Sequence, residues 1–222
     1  MSFVSSCQKW VTKPGSTVVN AGCCVYVDGL FTLYERDAWL HRTQAQIKDR
    51  EQNHRVSGYN QEGYSVIDWT GYRQHGRLLY FESTAFLTFL WERVKPHLPE
   101  TIHSSDDGKV WCLVSLNRCI RANKYVAGGL FDVHVDDAYV NKDLRLRSFL
   151  TLMVYLNDVT EDAQGGRTLF FDSTNTTVAA ATVKPVAGRV ILFSHGMTHS
   201  GEELQFGEKY VWRTDVVYCC QP

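Results

Sequence analysis

The residues best suited to chemistry are a histidine and an aspartate with one residue between them, His134 and Asp136. They close an apolar stretch, 130–135, that has the composition of a β-strand. Because side chains at i and i+2 of a strand point to the same face, this imidazole and this carboxylate project together. The pair therefore supplies two ligands of a facial metal site. Non-heme Fe(II) is the metal whose chemistry needs the remaining positions open, and a second histidine should complete the set.

Two histidines downstream are candidates for the third ligand. His195 and His199 follow the predicted strand Arg189–Phe193, so either could reach one end of a barrel. A helical zinc pair is disfavoured, because Gly196 lies between them and no glutamate follows the first histidine. A pair of solvated loop histidines is the other interpretation. The residues alone leave the choice between His195 and His199 open.

The strand after this loop carries two cations on one face. In the run 209–215, Lys209, Val211, Arg213 and Asp215 alternate with Tyr210, Trp212 and Thr214. Inward-facing cations are costly unless a charged partner meets them. A dicarboxylate co-substrate would be such a partner, whereas an edge strand with both cations in water is the alternative.

Taken together, these motifs resemble a known family over about half of the chain. The segment from about 117 to 218 resembles the prolyl 4-hydroxylase type of 2-oxoglutarate- and Fe(II)-dependent oxygenases. The matching features occur in the family's order: Tyr125, Gly128-Gly129 and Phe131 before His134-x-Asp136, the central strand Thr151-Leu-Met-Val-Tyr155-Leu-Asn157, the turn Gly165-Gly-Arg-Thr168-x-Phe170, then Pro185, Gly188 and Phe193, and His199-Ser-Gly ten residues before Lys209.

The resemblance implies a role for each matching residue. His134, Asp136 and His199 would bind the iron, and His195 would lie outside the ligand set. Lys209 is favoured by spacing to pair with the far carboxylate of 2-oxoglutarate. Arg213 remains an alternative, because it shares the face and offers a bidentate grip. Two tyrosines would help to form the co-substrate pocket, Tyr155 and, as a weaker candidate, Tyr125.

The implied reaction couples oxidative decarboxylation of 2-oxoglutarate to hydroxylation of a C–H bond. Its cofactors would be Fe(II), 2-oxoglutarate as co-substrate and O2, with ascorbate allowed as an auxiliary reductant. Asp136 favours hydroxylation, because related halogenases replace this carboxylate with a small residue. The substrate could be a protein side chain such as proline, or a small molecule or free amino acid. A non-catalytic jelly-roll binding module is the alternative outside enzymes.

The implied fold is mainly β with flanking helices (α+β), a double-stranded β-helix or jelly roll whose N-terminal helices buttress one sheet. We expect one domain over 1–222, with a helix- and loop-rich part to about 109 and a β-helix core from about 110. Helices are predicted at 35–54, after the capping box Thr32–Glu35, and at 83–97. Residues 58–76 read as loop with short strands. Seven strands are predicted: Val110–Leu116, Leu130–Val135, Ser148–Leu156, Thr168–Phe171, Val178–Val183, Arg189–Phe193 and Lys209–Tyr218.

Composition limits the class of protein. The 222 residues are 44% hydrophobic and 21% charged, with a formal net charge of −1, which is typical of a globular protein. Because positive and negative charges are nearly equal in number, nucleic acid is disfavoured as the main partner. We expect no membrane span, because no apolar run is long enough, and no secretory signal, because residues 1–10 lack a basic start followed by an apolar core. The seven cysteines show no zinc spacing and are expected to be thiols in a cytoplasmic or nuclear protein. Oligomeric state is left open.

Overall fold

The fold is a strongly curled antiparallel sheet with two helices. A computed structural model describes residues 16–20, 24–53, 63–69, 73–81, 83–159, 161, 164–172 and 176–221. The helices are α1 (Leu33–Asn53) and α2 (Thr84–Val94), and a 3-10 turn (Lys95–His97) follows α2. The strands are β1 (Ser16–Asn20), β2 (Cys24–Val27), β3 (Gly63–Trp69), β4 (Arg73–Phe81), β5 (Thr101–His103), β6 (Val110–Leu116), β7 (Cys119–Tyr125), β8 (Leu130–His134), β9 (Val140–Asn141), β10 (Leu146–Tyr155), β11 (Thr168–Phe170), β12 (Ala181–Val183), β13 (Val190–Ser194), β14 (His199–Gly201) and β15 (Lys209–Cys220).

The strand order explains how the sheet encloses a site. The main path runs β1-β2-β13-β10-β15-β7-β4-β8-β14-β11-β12, so strands distant in sequence become neighbours. Residues of β8, β14 and β11 line one cavity together with residues of β13, β10, β15 and β7, so these two groups of strands enclose an interior. This is the predicted double-stranded β-helix, and the fold class is confirmed.

Both helices begin where the sequence predicts. The Thr32 backbone N–H donates to Glu35 Oε2 at 2.9 Å, and the Glu35 N–H donates to Thr32 Oγ1 at 3.2 Å, which is a complete capping box. Ser83 caps α2 by accepting from the Phe86 N–H at 3.3 Å. The predicted end of the first helix, His54, lies outside the described residues.

The helices pack against the outer face of the long strands. The ring centroids of Trp39 on α1 and Trp212 on β15 are 5.3 Å apart, and the Phe86 ring on α2 lies 5.2 Å from that of Trp212. The Trp212 indole N–H donates to Thr43 Oγ1 at 2.9 Å. The helices therefore buttress this sheet, as predicted, and fix the strand whose other face carries Lys209 and Arg213.

The structure differs from the sequence predictions mainly in additional strands. The seven predicted strands are present with shifted ends; β12, for example, begins at Ala181 rather than Val178. The part before residue 110 contains strands β1 to β5, and residues 73–81 form one long strand where loop with short strands was expected up to residue 76. The strand β7 was missed because Arg121, Asn123 and Lys124 break the apolar pattern of its sequence. It lies beside β15 in the sheet, where polar side chains face the interior.

Two sequence predictions, on membrane spans and on cysteines, can be compared with the described residues. Within the described ranges, neither helix has the length and apolar character needed to cross a membrane. The cysteines in those ranges are free thiols: Cys24, Cys112, Cys119, Cys219 and Cys220.

Candidate metal centre and co-substrate pocket

Two neighbouring strands place the candidate histidines side by side. His134 at the end of β8 pairs in register with His199 at the start of β14, and their ring centroids are 4.2 Å apart. Asp136 follows two residues after His134, and its Oδ1 lies 3.7 Å from His134 Nε2 and 3.8 Å from His199 Nε2. One donor atom from each residue lies within 4.8 Å of the others. The structure thus brings together the three predicted ligands.

Backbone carbonyls orient both imidazoles. His134 Nδ1 lies 2.7 Å from Asp132 O, and His199 Nδ1 lies 2.9 Å from Met197 O. A carbonyl only accepts, so each neutral ring must carry its proton on Nδ1. Each Nε2 is then unprotonated and lies within 4 Å of Asp136 Oδ1. His134 Nε2 is buried and makes no hydrogen bond, as expected of an atom placed for a metal ion.

The charge states also suit a cation. Burial is the main cause that lowers the pKa of His134 to about 3, and it lowers the pKa of His199 as well. Burial alone would raise the pKa of Asp136, but the Arg213 guanidinium overcomes it and holds that pKa well below its ordinary value. Two neutral imidazoles and one carboxylate are the protonation states that metal binding requires. This donor set fits Fe(II), with three positions left for other ligands.

His195 lies behind Asp136 rather than beside the other histidines. Its Nδ1 is 3.0 Å from Thr151 Oγ1, and its Nε2 is 2.8 Å from Ser148 Oγ. The Thr151 hydroxyl in turn donates to Asp136 Oδ2 at 2.5 Å. The geometry therefore separates the two histidines that the sequence could not: His199 faces the centre, and His195 contacts the back of the carboxylate through Thr151.

Lys209 lies at the bottom of a cavity between the long and short strands. Its side chain is 2% exposed, and its Nζ donates to Gly166 O at 2.8 Å and sits 4.2 Å from the centroid of the Tyr125 ring. Burial lowers the pKa of Lys209 to about 7. The tight turn that presents this carbonyl needs glycine, because a Cβ on Gly165, at φ +67°, would lie 2.3 Å from Glu203 O.

The other predicted co-substrate residues line the same cavity. Tyr155 and Tyr125 border it together with Lys209 and Arg213. The Tyr155 hydroxyl is buried and lies 2.5 Å from Thr168 Oγ1. Arg213 points elsewhere, because its Nη2 lies 2.5 Å from Asp136 Oδ1. The two cations of β15 therefore serve different ends of the cavity, with Lys209 at the tyrosine end and Arg213 at the candidate metal centre.

Comparison with known proteins identifies the family. A family model described as the 2OG-Fe(II) oxygenase superfamily matches residues 120–214, which include the candidate ligands and both cations of β15. This segment matches the 2OG-Fe(II) oxygenase superfamily. Its cofactors are accordingly Fe(II), 2-oxoglutarate and O2.

Solved structures share the fold of this oxygenase. A prolyl 4-hydroxylase from Pseudomonas putida is 16% identical with a TM-score of 0.60, over 87% of this chain and 92% of that one. A viral collagen prolyl hydroxylase from Paramecium bursaria Chlorella virus-1, solved with 2OG, is 18% identical with a TM-score of 0.56, over 91% and 99%. A prolyl hydroxylase from Trichoplax adhaerens, solved with a peptide fragment of the hypoxia inducible factor oxygen degradation domain, is 13% identical with a TM-score of 0.58, over 89% and 84%. No curated protein matches the sequence.

Three polar residues of the oxygenase site were not predicted as site residues from the sequence. Thr151 and Thr168 lie in or beside the candidate motifs, but only the fold shows which groups they contact. Asn123 lines the cavity from β7 and is 6% exposed, and its Oδ1 makes no hydrogen bond. Strand alternation could have revealed Asn123, because it lies two residues before Tyr125 and therefore on the same face of a strand. The sequence analysis predicted no strand there.

Proposed function

We propose that this oxygenase hydroxylates a C–H bond in a protein side chain, with proline as the first candidate, and that 2-oxoglutarate is decarboxylated to succinate in the same cycle. The observation that carries the proposal is the facial arrangement of His134, Asp136 and His199. When bound there, Fe(II) supplies the centre at which O2 and the keto acid react. The carboxylate of Asp136 occupies a position that halogenases leave open, so hydroxylation is the reaction proposed.

Lys209 is the proposed partner of the far carboxylate of 2-oxoglutarate. Its ammonium group is buried beside Tyr155 and Tyr125 and hydrogen-bonds to the neutral carbonyl of Gly166. An isolated buried cation is costly, and an anionic ligand would offset that cost while restoring the charged form of the lysine. Tyr155 would add a hydroxyl donor to the same carboxylate. This assignment leaves Arg213 to act at Asp136.

The proposed substrate is a proline in a peptide, because three similar structures are prolyl hydroxylases and one of them was solved with a peptide. A small molecule or free amino acid is the second candidate. A second cavity, of about 260 Å³, borders Asp136 together with Ser148, His195 and Phe149, but neither His134 nor His199 lines it. It therefore lies behind the carboxylate, and it is not proposed as the place where the substrate meets the metal.

The deciding experiment begins without oxygen. Fe(II) and then 2-oxoglutarate are added to the metal-free protein, and the visible charge-transfer band of the chelated keto acid is recorded. We expect the band, and succinate after O2 is admitted, with a 16 Da gain on a proline-containing peptide. Absence of both band and succinate would overturn the oxygenase proposal. Succinate without peptide oxidation, but with oxidation of a free amino acid, would transfer the proposal to small substrates.

Variants at the three ligands test the same proposal from the protein side. His134→Ala, Asp136→Ala and His199→Ala should each abolish the charge-transfer band and succinate formation, because each removes one donor of the set. Lys124→Gln is the control, since its side chain pairs with Glu208 at 3.0 Å on the opposite face of β7. Retention of the band in any ligand variant would show that the donor set is wrong.

A further inference from the structure

A chain of hydrogen bonds connects the candidate metal ligand Asp136 to side chains deeper in the sheet. Ser148, Thr151 and His195 form this chain, which we call the Asp136 support. All three are buried, with Ser148 and Thr151 completely inaccessible to solvent. Among the described residues, His195 is not part of the group of donors that could hold a metal ion. Their contacts instead converge on the carboxylate.

The direction of each bond follows from what each atom can donate. Thr151 has one hydroxyl hydrogen, and it goes to Asp136 Oδ2. Thr151 Oγ1 must therefore accept from His195, which requires a proton on His195 Nδ1. At the other end, Ser148 Oγ accepts from the Tyr139 backbone N–H at 2.8 Å, so its own hydrogen is available for His195 Nε2. Every donor in the chain has one acceptor, and the chain has one direction.

A backbone bond adds a second connection between His195 and the ligand. The Asp136 N–H donates to His195 O at 3.0 Å, so His195 is connected to both the backbone and the carboxylate of Asp136. Oδ2 accepts from Thr151, and Oδ1 is the oxygen that faces both imidazole Nε2 atoms. The support thus holds Oδ2, while Oδ1, which Arg213 Nη2 also contacts at 2.5 Å, faces the centre.

We infer that His195 is a positioning residue that acts through Thr151 to hold Asp136 in its metal-binding orientation. The inference rests on the proposed function, because it assumes that Asp136 binds the metal. Hydrogen-bond partners behind a metal ligand fix its orientation and basicity, and their loss typically weakens metal binding by roughly 10–100-fold. A histidine that merely filled space would need neither the Thr151 nor the Ser148 contact.

Two substitutions at position 195 separate this role from packing. The amide nitrogen of asparagine can occupy the place of Nδ1, and the amide oxygen of glutamine can occupy the place of Nε2 and accept from Ser148. His195→Asn can therefore still donate to Thr151, whereas His195→Gln can reach only Ser148. We expect Mn(II) affinity, measured by titration without 2-oxoglutarate, to stay within about 3-fold of wild type for His195→Asn and to fall roughly 10–100-fold for His195→Gln.

A pair at Thr151 and a spectrum of the metal-free protein complete the test. Thr151→Val should weaken Mn(II) binding as His195→Gln does, and Thr151→Ser should restore it. Nitrogen-15 NMR of the metal-free protein should show the His195 proton on Nδ1. Equal affinities for the Asn and Gln variants, or for the Val and Ser variants, would overturn the inference alone. Failure of the wild type to bind Mn(II) or Fe(II) would overturn the proposed function and this inference with it.

Discussion

At the scale of single residues, the site assigns different tasks to two similar cations. Lys209 and Arg213 are four residues apart on β15 and face the same interior, so strand alternation alone makes them equivalent. The structure separates them by their contacts: Lys209 meets Gly166 and the Tyr125 ring, whereas Arg213 meets Asp136. The Arg213 guanidinium therefore lies against a carboxylate that a metal ion would also bind. The guanidinium and the metal ion would repel each other.

This division predicts opposite effects of removing each charge. Lys209→Met should weaken 2-oxoglutarate binding by roughly 10-fold or more while leaving Mn(II) affinity within about 3-fold, because it removes a buried charge partner. Arg213→Met should instead tighten Mn(II) binding, since it removes a positive charge beside the metal position. Mn(II) titration followed by 2-oxoglutarate titration of the Mn(II)-loaded protein measures both quantities.

Two results would contradict the division. If Arg213→Met weakens 2-oxoglutarate binding as strongly as Lys209→Met, both cations contact the co-substrate. If Lys209→Met releases Mn(II), the lysine supports the metal centre instead.

At this scale the sequence predicted the candidate ligands but not the side chains that contact Asp136 from behind. His134, Asp136 and His199 are recognisable because their types and spacing are unusual for a structural strand. Thr151 is a single hydroxyl in an apolar strand, and its partner His195 is 44 residues away in sequence. No local pattern connects them, because the contact exists only after β10 and β13 pair.

At the scale of elements, one strand links the helical layer to the site. Along β15, Tyr210 and Trp212 belong to the core cluster beneath the helices, while Lys209, Val211 and Arg213 line the cavity. The alternation of faces was readable from the sequence because it depends only on strand geometry. The participation of β4 and β7 was not, since their interior faces carry polar residues such as Arg77 and Asn123 that resemble surface positions.

The bond between α1 and β15 can be tested by a matched pair of substitutions. Thr43→Val keeps the shape of the side chain but leaves the Trp212 indole N–H buried without an acceptor, which should lower the free energy of unfolding by about 1–3 kcal/mol. Thr43→Ser retains the hydroxyl and should cost less. Urea unfolding measures both, and equal losses would show that the missing methyl or altered packing matters more than the hydrogen bond.

At the scale of the whole molecule, the interior holds neutral histidines. His75, His195 and His199 are buried and His134 is half-buried, and in each of them burial is the largest cause that lowers the pKa. In the unfolded chain a histidine gains its proton near pH 6.5. In the folded chain the pKa is lowered to about 3 for His134 and to about 4 for His195. The unfolded state therefore binds more protons below pH 6.5, so the folded state should lose stability as the pH falls through that range.

His75 offers a direct test, because it belongs to neither the ligand set nor the Asp136 support. Its ring lies 4.8 Å from that of Tyr125 and 6.0 Å from that of Phe131, and neither ring nitrogen makes a hydrogen bond. His75→Phe keeps an aromatic ring there and removes the titrating group. We compare the metal-free proteins by the free energy of unfolding of His75→Phe minus that of wild type. This difference should be about 1.4 kcal/mol larger at pH 5.5 than at pH 7.5, because only the unfolded wild type gains the proton and is stabilised by it. Urea unfolding at the two pH values measures the difference. If the difference in free energy of unfolding between His75→Phe and wild type does not change with pH, His75 takes up a proton equally well in the folded state. The interior around it would then be more polar than its burial indicates.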